Sequence, residues 1–181
     1  VDSLAECRRA IDEKVGSGPD YPEIPGYLCP LPAWTLTHAQ NCFRRPGAHD
    51  ATALPFYDNH KVMAGLSAAY RTGNAEALTL LRGMGDYLIA RLKEMSSEQR
   101  ERMLNTRRLK DFFMEYGGIQ QVFLDLYEYT REDIYRKAST YFDRTWFNEM
   151  LEQNRDELAG GMEHTNTEIP VVLSLARYYE A

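Results

Sequence analysis

The stretch AAYRTGNAEAL (residues 68–78) and the stretch DLYEYTREDIY (residues 125–135) follow one plan. In each, an apolar helical end closes on tyrosine, a threonine-led turn follows, and a second apolar helix opens. Thr72 and Thr130 stand 58 residues apart. LARYYEA (residues 175–181) begins the plan again about 50 residues later. A period of this length exceeds the roughly 34-residue unit of the common helical solenoids. It suits helical hairpins with long loops at one end, the unit of a toroid of inner and outer helices. A closed ring of six hairpins needs roughly 300 residues or more, and the 181 residues here hold about two and a half hairpins. The expected fold is therefore all-α: a partial (α/α) barrel, one domain over residues 1–181.

The remaining periodicity agrees. Leu4, Ala5, Ile11 and Val15 mark a first helix over 2–15, which Gly16-Ser17-Gly18-Pro19 ends. Val62, Met63, Leu66, Ala69 and Tyr70 give one helical stripe, and Ala77, Leu78, Leu81, Met84, Leu88 and Leu92 give the next. Ser96 and Gln99 have the spacing of a capping box for a short helix through Leu104. Residues 109–116 allow another short one. Ile119, Val122, Phe123, Leu126 and Tyr127 form a stripe, followed by Ile134, Tyr135, Ala138, Tyr141, Phe142 and Trp146 as a single further one. Val172, Leu175, Ala176 and Tyr179 form the last. Between the first helix and these lies a segment, 16–56, that holds seven of the eight prolines together with Tyr21, Tyr27, Trp34, Phe43 and Phe56. Disordered segments are poor in aromatics, so this one is expected to be an ordered loop lying over a cleft.

Composition narrows the function. The chain is 44% hydrophobic and 27% charged, with net charge −6, and no run of Lys or Arg exceeds two residues. A phosphate-backbone partner is not expected. No apolar run reaches membrane-spanning length, so no membrane partner is expected either. Cys7, Cys29 and Cys42 make no CxxC pair and no zinc spacing. They read as free thiols, or one bridge at most. The first residue is Val1 and no signal peptide is visible, so the chain is expected to be processed or cut from a longer one.

Polar residues gather where the inner helices would begin: Tyr57-Asp58-Asn59-His60-Lys61, then Glu115-Tyr116-Gly117-Gly118-Ile119-Gln120-Gln121, then Glu163-His164-Thr165-Asn166-Thr167-Glu168-Ile169-Pro170. In a toroid these ends converge on one cleft. Carboxylates, amides and imidazole bind ring hydroxyls, and aromatic faces stack on sugar rings. Plainer readings stand beside this one. Asn166 or Thr167 would cap a helix that Pro170 begins, with Glu168 gaining from the helix dipole. His60 would be structural, and Gly117-Gly118 only a turn. Glu115, Glu163 and Glu168 would also supply a two-carboxylate hydrolase.

The motifs PFYDNHKVMAGLSAAYRTGN, RMLNT, EYGGIQQVFLDLYEYT, RDELAGG and HTNTEIPVVLSLARYYE occur here in the order seen in β-L-arabinofuranosidase-type glycoside hydrolases, families 127 and 146. The chain resembles that family over about residues 20–181. The resemblance implies an (α/α) barrel that releases L-arabinofuranose-type sugars from plant glycans, in proteins often exported. It implies a carbohydrate-binding role for His60, Lys61, Glu115, His164, Asn166, Thr167 and Glu168. It places Gln121 where the family carries its acid/base glutamate, and an amide cannot transfer a proton there. The family's nucleophile is a cysteine held on zinc, in motifs that follow the segment at 164–170. Cys7, Cys29 and Cys42 precede the family motifs, so zinc ligands and nucleophile are expected to be missing from these residues. The chain is expected to be inactive alone. The rival readings are a catalytically dead sugar-binding remnant and a helical interaction module. Uncovered inner-helix faces are expected to meet the rest of a barrel or a second copy.

Overall fold

The computed structural model describes residues 1–40, 55–105, 115–156 and 165–181, the side chains of 165–167 excepted. Every regular element among them is helical: α1 (Asp2–Asp12), α2 (Trp34–Gln40), α3 (Pro55–Arg71), α4 (Ala75–Lys93), α5 (Ser97–Asn105), α6 (Ile119–Thr130), α7 (Asp133–Ser139), a 3-10 turn (Thr140–Phe142), α8 (Thr145–Glu152) and α9 (Thr165–Glu180). None of the described helices is long and apolar enough to cross a membrane.

Two hairpins carry the architecture, α3 with α4 and α6 with α7. Each turn needs one left-handed residue. In the first, Gly73 takes φ +100° and Asn74 caps α4 by accepting from the Ala77 amide at 3.2 Å. In the second, Arg131 takes φ +61° and its amide returns to the Tyr127 carbonyl at 2.7 Å. α3, α6 and α9 lie side by side as inner helices, with α4 and α7 behind them. A methyl group at Gly85 of α4 would lie 2.6 Å from Leu126 and 3.3 Å from Tyr135. An outer helix thus presses on the next inner one, as in a ring.

Phe142 is the centre of the core. Its ring sits 5.3 Å from Phe56, 5.6 Å from Tyr116 and 6.1 Å from Phe123. A buried aromatic of this kind contributes roughly 1.5–3 kcal/mol. The 134–146 stripe, expected as one helix, is broken: Asp143 is extended at φ −64°, ψ 124°. Phe142 reaches the core at the end of the 3-10 turn, and α8 then starts in a new direction. The first amide of α8, Thr145 N–H, donates to the Asn105 side chain at 2.9 Å. The capping box at α5 forms as its spacing requires, with Ser96 N–H to Gln99 Oε1 at 2.8 Å and Gln99 N–H to Ser96 Oγ at 3.1 Å.

Two further expectations change. The first helix ends at Asp12, and only Ala5 of its stripe is buried, Leu4 being 38% exposed. Arg8 lies over Gly83 and is held by Asp12 at 2.8 Å. The proline-rich segment, described through Gln40, contains the helix α2, with Leu36 fully buried. Its described part packs on the outer helix α4 and, through α2, on α3 and α5. The Tyr27 ring lies 5.2 Å from that of Tyr87 at a tilt of 55°, and Gln40 donates to the Arg91 carbonyl at 2.8 Å. Phe43, Cys42 and residues 109–114 lie outside the described residues. Finally, Ile169, Val172, Leu173 and Ala176 are exposed on α9 at helical spacing. They form an apolar stripe on the third inner helix.

Candidate inner-helix groove

The inner helices run parallel and in register. His60 of α3 meets Gly118 at the start of α6, and Gln121 of α6 meets Pro170 of α9. Seven residues further along each helix, about two turns, Ser67 meets Asp125 and Asp125 meets Arg177. The two polar levels therefore sit one above the other on one wall.

At the upper level the Gly118 amide donates to His60 Nδ1 at 3.3 Å. Burial, with Lys61 next to it, lowers the imidazole to a pKa of about 4. His60 is therefore neutral at physiological pH. With Nδ1 accepting, the proton is on Nε2. The paired glycines are what seat this ring. Gly117 takes φ +53°, and a methyl group there would lie 2.8 Å from His60 Nδ1 and 3.1 Å from the Tyr57 ring. One at Gly118 would lie 2.7 Å from the Gln121 amide and 3.1 Å from His60 Nε2. The Gly117-Gly118 turn is thus also the floor under the histidine. Gln121 Nε2 donates to the Pro170 carbonyl at 3.3 Å.

At the lower level Asp125 is buried and accepts from Ser67 Oγ at 2.6 Å and Arg177 at 3.1 Å, with Arg71 at 3.4 Å. Tyr129 shares a hydrogen bond with Ser67 at 2.9 Å, and Arg177 also pairs with Glu128. His60, Ala64, Arg71, Gln121, Val122, Asp125 and Arg177 line one groove of about 300 Å³. It offers imidazole and amide donors at one end and carboxylate and guanidinium groups of both signs at the other. A hydroxyl-rich ligand finds both a donor and an acceptor at each step.

The expected site residues divide. His60 and Gln121 come together in the groove. Lys61 is exposed one residue away, its Nζ 4.6 Å from the Tyr57 ring centroid. Glu115 is buried in the segment before α6. Glu168 is only 2% exposed and forms a buried ion pair with Arg144, whose Nε also donates to Tyr116 Oη at 2.8 Å. Glu163 and His164 lie outside the described residues, as do the side chains of Asn166 and Thr167. The capping reading of Asn166 and Thr167 is corrected: α9 spans Thr165–Glu180 among the described residues, so both lie within it and Pro170 is interior, not its first residue. Pro170 has no N–H for the Asn166 carbonyl, and its own carbonyl takes the Gln121 amide and Ser174 Oγ.

Ser67, Arg71, Asp125 and Arg177 went unnoticed in the sequence. Their signal was the repeat itself: Ser67 and Asp125 hold the same position in two units 58 residues apart, each a polar break inside an apolar stripe. The described residues do not fit the zinc implied by the resemblance. Among the described residues no three of His, Cys, Asp and Glu stand together. Cys7 is exposed on α1, and Cys29 is a buried thiol whose pKa burial raises, the opposite of what a metal thiolate needs.

A family model described as the beta-L-arabinofuranosidase, GH127 catalytic domain, matches residues 15–181. No curated protein matches the chain.

Proposed function

The chain belongs to the β-L-arabinofuranosidase GH127 catalytic-domain family, and from that premise we propose that it forms one wall of a cleft for L-arabinofuranose-type sugars and binds them without hydrolysing them alone. The observation that supports this reading is the groove that joins neutral His60 and the Gln121 amide to the Asp125–Arg177 level. His60 Nε2–H and Gln121 supply donors for ring oxygens and hydroxyls. Gln121 occupies the position that the resemblance gives to the acid/base glutamate. An amide there orients a glycosidic oxygen and transfers no proton to it. The exposed stripe of α9 supports a wall that works together with a further helical surface.

The test is calorimetric titration of the chain with L-arabinose, alongside release from an aryl β-L-arabinofuranoside. Saturable binding is expected, weakened about tenfold in His60→Ala. Release is expected to match that of the His60→Ala variant. Hydrolysis above that control would overturn the non-catalytic part of the reading, and absence of saturable binding would overturn the sugar site. Binding should hold steady from neutral pH to about 5 and fail through about 4, as His60 gains its second proton. Stability follows the same direction. Because the folded-state pKa lies below the ordinary 6.5, the unfolded chain binds the proton more readily between those values. Stability is therefore lost as pH falls through that window, by about 2 kcal/mol after discounting for partial exposure of the ring.

A further inference from the structure

A second crevice, of about 210 Å³, opens on the opposite side of α6, between α9 and the end of α7. Gln120, Leu124, Ser139, Thr140, Asp143, Ser174, Leu175 and Tyr178 line it. Three of its hydroxyls have one property in common: they have already used their protons. Ser139 Oγ donates to the Arg136 carbonyl at 2.7 Å, Thr140 Oγ1 to Lys137 at 2.9 Å, and Ser174 Oγ to Pro170 at 2.7 Å. A hydroxyl has a single proton, so all three are left with lone pairs only. Gln120 Nε2 donates to Asp143 Oδ1 at 2.9 Å. That carboxylate fixes which end of the amide is which. Gln120 is 3% exposed, and its Oε1 has no hydrogen-bond partner among the described residues.

The crevice thus presents a half-buried carboxylate and several acceptors, beside the Tyr178 hydroxyl, which can donate or accept. A ligand that fits must bring several N–H donors and a positive charge. Its hydrocarbon part would lie against Leu124, Leu175 and the Tyr178 ring. Arg136 sits 5.2 Å from the centroid of that ring and is not among the lining residues. The volume far exceeds that of a bare ion and holds a chain of about four or five carbons. We propose that this crevice binds a small primary alkylammonium ion, with the ammonium group on the Asp143 carboxylate, next to the Gln120 amide that this carboxylate holds. Burial raises the Asp143 pKa and the Gln120 hydrogen bond offsets only part of this, a cost that an incoming cation would relieve.

The experiment is a titration of the chain with n-butylammonium, followed by the side-chain amide resonances of Gln120. n-Butanol and tetramethylammonium serve as the neutral and the donor-free comparisons. n-Butylammonium is expected to bind at least about tenfold more tightly than either. Asp143→Asn should lose about tenfold, and Thr140→Val, which removes lone pairs without touching the carboxylate, a few-fold. Equal binding of n-butanol or tetramethylammonium would overturn the proposal. So would a Gln120 resonance unmoved by n-butylammonium, or unchanged affinity in both variants. Should Asp143→Asn fail to fold, the Thr140→Val result and the ligand comparison decide the matter.

Discussion

Arg144→Met is expected to lower the free energy of unfolding by about 3–5 kcal/mol, the usual loss when one member of a buried ion pair is removed. The Arg144 and Glu168 side chains are 5% and 3% exposed. Arg144 also donates to Tyr116 Oη and lies 4.7 Å over the Tyr116 ring. Burial raises the Tyr116 hydroxyl to about 12 even with this cation beside it, so the tyrosine is a neutral acceptor. Methionine fills much of the arginine volume and leaves the Glu168 carboxylate buried without this cation. Glutamine has nearly the shape of glutamate and no charge, which suggests the compensating change. Arg144→Met combined with Glu168→Gln is expected to recover most of the loss, since neither charge is then stranded. Urea unfolding of the two single variants and the double variant measures the coupling. A double variant no more stable than Arg144→Met would show that the pair is not what holds these residues together.

Gly117→Ala is expected to cost about 2–5 kcal/mol and to abolish the sugar affinity of the groove. Two effects add. A left-handed alanine loses about 1–2 kcal/mol, and the new methyl group, 2.8 Å from His60 Nδ1, overpacks the site for about 1–3 kcal/mol more. The imidazole must leave its place against the Gly118 amide, so the donor at Nε2 is displaced as well. Gly65 supplies the contrast. It lies within α3, and a methyl group there meets nothing within 4 Å. Gly65→Ala should therefore raise stability by up to about 1 kcal/mol. Melting curves of the two variants with opposite shifts would establish that the space around His60, and not glycine replacement as such, is responsible.

The hairpins could be read from the sequence because their signals are local. The Thr72-Gly73-Asn74 turn, the Ser96–Gln99 box and the apolar stripes of α4 and α6 each lie within a few residues. The convergence of inner-helix starts was legible too, since it follows from the repeat, and it led to His60 and Gln121. The helix α2 was not, because Thr35, Thr37 and His38 dilute its apolar pattern and its burial comes from distant α3 and α5. The break at Asp143 was hidden by a stripe that keeps helical spacing straight through it. Glu168 looked like a ligand-facing carboxylate because its partner, Arg144, is 24 residues away and carries no mark of the pairing. Arg71 and Arg177 were missed for a similar reason: as cations near helix ends they resemble ordinary terminal charges.

The register of the inner helices also bears on folding order. Partners within a hairpin, such as α3 and α4, are close along the chain, whereas Ser67 and Asp125 are 58 residues apart and Asp125 and Arg177 are 52 apart. Closing the larger loops costs more entropy before any contact repays it. The hairpins should form early and dock late, so that the wall of the groove is the last surface to exist. Substitutions at Ser67 and Asp125 would then speed unfolding and leave the folding rate nearly unchanged. Stopped-flow kinetics in which those substitutions slowed folding instead would place the wall in the nucleus.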